Sequence, residues 1–315
     1  MTGSTLRRAI RLAAVISVSL CAVGAMAAGT TSFVSREFDL WPSAAATGGA
    51  VTTSRDPLVA LWGNPAGLAN RPGQVGATHS EWIADTRIEQ LGIALGGGSA
   101  WRFGVSTHLV STDDIPFRPL SGGVAVPYAS PLGTFEVRDF NLGLTGAYRV
   151  RPGIDLGLTV RYLAQKIHTV DASTIAFDAG VMWQARPNLR AGLLAASLGP
   201  SLDWGSVKAP LPRAFRGGLM WSPHRTLNLS GDLWLQKDRP ARGNLGVEWL
   251  PVSMLALRMG SLIGTGEQNV TAGLGIMWRG IGLDYAVIPM SSDLGTAHRL
   301  AIRLIPSRLR SKNTR

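Results

Sequence analysis

Leu227-Asn228-Leu229-Ser230-Gly231-Asp232-Leu233-Trp234-Leu235-Gln236 is a stretch with two unlike faces. The leucines hold the odd positions, and Asn228, Ser230, Asp232 and Gln236 hold even ones. Successive side chains of an extended strand point to opposite sides, so a strand here has one greasy face and one polar or small face. A helix would mix the two sets. The same period recurs where Ile154, Leu156, Leu158, Val160 and Tyr162 alternate with Asp155, Gly157, Thr159 and Arg161. It recurs again where Val270, Ala272, Leu274, Ile276 and Trp278 alternate with Thr271, Gly273, Gly275 and Met277.

Working outward, about fourteen such segments follow Gly73: 73–82, 88–97, 101–111, 135–149, 154–168, 174–186, 189–198, 212–222, 227–237, 242–250, 254–263, 269–279, 281–289 and 296–305. Most approach the ~9–11 residues that a tilted transmembrane strand needs. Every second connection reads as a tight turn, as at Gly98-Ser99, Arg151-Pro152-Gly153, Arg186-Pro187-Asn188, Ser222-Pro223-His224 and Arg279-Gly280. Longer segments lie between them, notably 112–134 and 199–211. Short periplasmic turns, longer external loops and an even strand count are the pattern of single-chain outer-membrane barrels. Trp101, Trp183, Trp221, Trp249 and Trp278 sit on the apolar face beside the tight turns, which fits the periplasmic half of an aromatic girdle. After the N-terminal region no uncharged apolar stretch reaches the length of a membrane-crossing helix. The expected fold is therefore all-β: a transmembrane antiparallel β-barrel of about 14 strands, in the outer membrane of a Gram-negative-type bacterium.

The N-terminus reads as an address. Arg7, Arg8 and Arg11 form a positive region, Leu12 to Gly24 an apolar one, and Ala25-Met26-Ala27 a cleavage site before Ala28. Cys21 does not make a lipoprotein signal, because Leu20 stands where a small residue is wanted. It is the chain's one cysteine, so the mature protein would have no disulfide and no thiol chemistry. The 31 Lys and Arg residues, less the three in the signal, leave 28 against 20 acidic ones. They are dispersed along the strands except in Arg308-Leu309-Arg310-Ser311-Lys312, which argues against nucleic-acid binding. Anionic lipid and lipopolysaccharide headgroups are the simpler partners for that charge. The expected organisation is a signal peptide at 1–27, an N-terminal segment at 28–72, the barrel at 73–306 and a basic periplasmic tail at 307–315.

Residues 28–72 lack sustained alternation. Ser54 to Gly63 reads as a short helix capped by Asp56, with Pro57 at its first position and Gly63 ending it in the left-handed region, before an Asn64-Pro65 turn. Periodicity leaves open whether this segment plugs the lumen or trails in the periplasm.

The sequence carries no constellation that points to catalysis or metal binding. His79, His108, His168, His224 and His298 are far apart, so no transition-metal site and no cofactor is expected. Gly96-Gly97-Gly98 precedes no helix, and there is no G-x-S-x-G. His298 facing a lumen serine is the one arrangement that could carry a lipase-like reaction, and the expectation is that the chain is not an enzyme. On the polar face fall Arg102, Arg149, Asp155, Arg161, Asp178, Arg190, Arg216, Asp232, Glu248, Arg258, Asp284 and Arg303. They either pair across strands and hold the N-terminal segment, or line a passage selective for anions.

Two stretches carry a resemblance. Asp56-Pro57-Leu58-Val59-Ala60-Leu61-Trp62-Gly63-Asn64-Pro65-Ala66-Gly67-Leu68-Ala69 resembles the N-terminal signature of FadL-like outer-membrane proteins, including the PorV/PorQ family. Gly282-Leu283-Asp284-Tyr285-Ala286-Val287-Ile288-Pro289, with Leu294-Gly295-Thr296-Ala297-His298-Arg299-Leu300, is similar to the closing hairpin of PorV/PorQ proteins. The resemblance implies a fourteen-stranded barrel whose N-terminal segment, through Trp62, Asn64, Pro65, Gly67 and Leu68, fills the lumen. For function it implies a non-catalytic barrel of PorV/PorQ type, handling exported cargo with secretion-machinery proteins of the type IX kind. The alternatives are a FadL-like uptake channel, which passes hydrophobic small molecules such as fatty acids through a lateral opening in its wall, and a structural or adhesive surface barrel. The chain departs from the pattern in its short external loops, its Leu304-Ile305-Pro306 ending and its basic tail.

Overall fold

A computed structural model describes residues 31–33, 35–36, 40–69, 71–96, 100–121, 124–125, 130–205, 207–264, 270–291 and 294–306. The expected signal peptide, Gly97 and Gly98, and the basic tail lie outside these residues.

Fourteen antiparallel strands close into a barrel. Numbered in chain order they are β1 (Gln74–Glu81), β2 (Thr86–Leu95), β3 (Trp101–Phe117), β4 (Gly133–Arg151), β5 (Ile154–Ile167), β6 (Val170–Arg186) and β7 (Leu189–Leu198). They continue as β8 (Ala214–His224), β9 (Leu227–Gln236), β10 (Arg242–Val252), β11 (Leu255–Ile263), β12 (Val270–Trp278), β13 (Ile281–Pro289) and β14 (Thr296–Leu304). Each pairs with its neighbours in sequence, and β14 returns to β1 in a register running from Val75↔Leu304 to Glu81↔His298. Closure satisfies every edge, the condition for a sheet in hydrocarbon.

Burial alternates along the strands, as in β6, where Ile175, Phe177, Val181 and Trp183 are exposed while Thr174, Ala176, Asp178 and Met182 are buried. The exposed large residues form the apolar outside of the barrel, which hydrocarbon covers. The five rim tryptophans all stand on this outside, each 43–55% exposed. Among the described residues no helix is long and apolar enough to cross a membrane.

Two boundaries and one ladder depart from the sequence expectation. β3 and β4 run on to Phe117↔Gly133, past a bulge between Thr112 and Ile115, so part of the expected loop 112–134 is a protruding ladder. β6 starts at Val170, which leaves a two-residue connection at the end otherwise carrying the longer loops. His168 makes that turn at φ 56° with no glycine, proline or asparagine to announce it. The third is mid-wall: Phe177 pairs with Leu198 but Ala179 with Ala195, so Ala196 and Ser197 bulge opposite Asp178. Ser197 sits at φ 56°. Its N–H donates to Asp178 Oδ1 at 2.8 Å, replacing the interrupted ladder bond.

Candidate functional site: the filled lumen

The described residues between Thr31 and Ala69 lie inside the barrel. The path starts near the loop end, where Ser32 N–H donates to the Pro210 carbonyl at 3.0 Å and Phe33 is buried among Leu163, Leu202 and Leu211. Helix α1 (Pro42–Ala46) packs on β12 and β13. Thr271 anchors it: its hydroxyl donates to the Ala46 carbonyl and accepts from Gly48 N–H, both at 3.1 Å.

The next fixing point is Asp232. Its Oδ2 accepts from Val51 N–H at 2.8 Å, Thr52 N–H at 2.9 Å and Thr52 Oγ1 at 2.7 Å. Helix α2 (Pro57–Trp62) then begins where Asp56 accepts from Leu58 N–H at 3.0 Å, with Pro57 supplying the fixed φ of a first helical residue. Gly63 ends it at φ −100°, ψ −127°, not in the left-handed region that the sequence led us to expect. It is needed small, since a Cβ there would sit 3.3 Å from Val51 Cγ2 and 3.1 Å from the Val59 carbonyl.

Asn64 drives the segment into the wall. Its Nδ2 donates to Thr52 O at 2.8 Å, Val181 O at 3.2 Å and Leu193 O at 3.3 Å, and its Oδ1 accepts from Ala66 N–H at 3.1 Å. Pro65, Gly67 and Leu68 form the short 3-10 turn it caps (Pro65–Leu68), which packs on β4, β5 and β6. Leu68 and Trp62 belong to the apolar heart of the lumen with Trp41, Leu58 and Leu61, and Trp41 stacks on Trp62 at 5.5 Å.

Glycines of the wall make the room. A Cβ on Gly76 would lie 2.7 Å from Leu58 Cδ1, and one on Gly92 would lie 2.8 Å from Trp62 Cη2. At Gly180, Gly192 and Gly260 it would strike Asn64, the Thr52 carbonyl and the backbone of Gly48. The high glycine content, 38 residues, is thus spent in part on a seat cut to the shape of the inner segment.

Eight of the twelve charged residues marked on the polar face form three groups. Arg161 of β5 and Arg36 of the inner segment converge on Asp178 at 2.5 and 3.1 Å. A chain runs from Asp56 to Arg303 to Asp284 to Arg258 to Glu248, the last two steps both at 2.8 Å, and Asn228 Nδ2 donates to Glu248 at 3.0 Å. Arg149 and Arg55 share Asp155 at 2.7 and 3.3 Å. Each group includes a residue from the inner segment, so wall and filling are joined by charge as well as by shape. Periodicity marked the wall charges; it carried no signal for Arg36, Arg55 or Thr52, whose partners are fixed only by the path of the inner segment.

The closing-hairpin residues divide between the two faces. Asp284 and Arg299 point inward, and Arg299 donates to the Leu40 carbonyl at 2.7 Å. Tyr285 and His298 point outward and bond to each other at 2.6 Å, while Gly295 makes the turn at φ 85°. His298 therefore does not face a lumen serine, because it shares its face with the exposed Leu300 and Ile302. Among the described residues no cluster of His, Cys, Asp and Glu could hold a metal ion.

No protein-family model and no curated protein matches this chain. Solved structures do. The Ralstonia pickettii toluene transporter TbuX matches at a TM-score of 0.60 and 13% identity, over 84% of this chain and 97% of that one. The Pseudomonas putida toluene transporter TodX matches at 0.61 and 12%, over 84% and 96%. A Pseudomonas aeruginosa FadL homologue matches at 0.59 and 10%, over 84% and 98%. At these identities the likeness speaks to the fold. The chain has the fold of the FadL-like outer-membrane barrels, and its closed sheet and apolar belt place it in the outer membrane of a Gram-negative-type bacterium.

Proposed function

We propose that this barrel passes apolar small molecules across the outer membrane, with the inner segment as its stopper. The observation that carries this reading is at the mid-wall bulge. Outside it lies an apolar groove of about 690 Å³. Its floor is low because Ala179, Ala195 and Gly217 stand among Leu193, Phe215 and Leu233. Inside, a small cavity lined by Ala196, Ser197 and Trp62 shares Leu194 and Arg216 with the groove, so the two lie on opposite sides of β7 and β8. The bulge interrupts the ladder there and leaves a residue unpaired. Arg36 of the inner segment holds that point through Asp178. The outer-membrane lipid that covers the groove is the phase in which apolar solutes concentrate.

Expression in a host lacking its own uptake barrel tests this. Labelled toluene or a labelled long-chain fatty acid should enter faster with the chain than without it. Ala195→Trp should fill the groove and lower entry at least fivefold, with barrel assembly unchanged. A correctly assembled barrel that speeds entry of neither solute, and instead co-purifies with an exported protein, would move the assignment to secretion. That reading rests on the two sequence resemblances.

A further inference from the structure

At the tight-turn mouth, four guanidiniums gather around one carboxylate. Asp155 receives two bonds from Arg149, at 2.7 and 3.1 Å, and one from Arg55 at 3.3 Å. Arg71, on the segment leading into β1, lies in the field of Arg55 and Arg149. Its Nε and that of Arg55 are buried without a hydrogen-bond partner among the described residues. Arg190 lies in the field of Arg55 and Arg71 and is held by neutral acceptors, the Thr53 carbonyl at 2.7 Å and Gln184 Oε1 at 3.2 Å. The next carboxylate, Asp56, is taken by Arg303.

The imbalance is local. The Asp56–Glu248 chain has three carboxylates for two arginines, whereas here, among the described residues, Asp155 is set against Arg55, Arg71, Arg149 and Arg190, with Arg102 also in the field of Arg149. Partly buried like charges repel and are desolvated at a cost that a counter-ion relieves. Burial together with Arg55 and Arg149 pushes the Arg71 guanidinium down to about 10, which leaves it charged at neutral pH. Arg55 and Arg190 also line a cavity of about 270 Å³ together with Ser43, Ser54 and Ser230, and its far wall carries Arg258 with Asp56 and Glu248, two carboxylates already paired to Arg303 and Arg258.

We propose that this corner binds a small oxyanion, a carboxylate or phosphate group, between Arg55 and Arg190 with Arg71 and Arg149 behind them. Guanidinium forks match both groups with paired, charge-assisted hydrogen bonds. The site does not depend on which solute crosses the wall.

Titration calorimetry on the detergent-purified full chain, at constant ionic strength in chloride, tests it with inorganic phosphate and separately with propanoate. Saturable binding near one per chain is expected for at least one of them, and the tighter of the two assigns the class. Arg190→Gln should weaken binding tenfold or more. Asp155→Asn should tighten it, because the carboxylate competing for Arg55 and Arg149 loses its charge. Arg213→Gln, in the external loop, should change nothing. Barrel integrity in each variant is read from its gel mobility before and after heating. Saturable binding of neither anion to the native chain, or a well-assembled Arg190→Gln that binds as tightly as native, overturns the proposal.

Discussion

Asp232 shows how much of the inner segment's placement rests on single side chains. One carboxylate oxygen meets two backbone N–H groups and a hydroxyl, all buried. Replacing it with alanine leaves those donors unpaired, at a cost of about 3 kcal/mol, since hydrogen bonds to charged groups contribute roughly 1.5–3 kcal/mol each and are only partly regained from water. Hydrogen exchange at Val51 and Thr52 should accelerate about a hundredfold in Asp232→Ala, and an unchanged rate would mean that the segment is held elsewhere. Gly92 tests the seat rather than the latch. In Gly92→Val the new side chain meets Trp62 Cη2 at 2.8 Å and Leu61 Cδ1 at 3.1 Å from its Cβ alone. Such overpacking costs about 1–3 kcal/mol and should lower the melting temperature of the inner segment, followed by Trp fluorescence. The sequence marks Asp232 as inward-facing through its neighbours Leu233 and Leu235. It cannot mark Thr52 as the partner, because Thr52 lies in a stretch without period.

At the scale of elements, the strands were legible because hydrocarbon enforces a strict alternation and each departure is costly. The deviations are instructive. Leu193-Leu194-Ala195-Ala196-Ser197 hides its bulge because four apolar residues in a row give no alternation to break. The helix α2 was legible at its start, where Asp56 and Pro57 have fixed capping roles, and misread at its end, where Gly63 answers to packing rather than to φ. The faces themselves can be tested with one pair of variants. Leu274→Arg puts a charge into lipid at mid-strand, at a cost of roughly 2–4 kcal/mol near the bilayer midplane. Asn228→Lys points into the 270 Å³ cavity beside Glu248 and should assemble close to native yield. Equal loss of heat-modifiable barrel in both would contradict the assigned faces. Thr271 is not a tolerant inward site, since its hydroxyl is bonded on both sides to the inner segment.

At the scale of the whole molecule, fourteen strands enclose more volume than small inward residues can fill, because about eight already suffice to pack an interior with side chains. Here the remainder is taken by the N-terminal segment, with Trp41, Leu58, Leu61, Trp62 and Leu68 at its heart and ion pairs at both ends. The barrel was readable from period and turn spacing. Period left the filling open, because a compact segment of forty-odd residues reads the same whether it lies inside or outside until its partners on the wall are known. The resemblance of residues 56–69 alone implied a filled lumen. Conductance in planar bilayers asks the question most directly. The full chain should be nearly silent, and a chain lacking residues 40–69 should conduct in steady steps. A full chain that already conducts steadily, at a level unchanged by the deletion, would contradict a lumen closed by its own N-terminal segment.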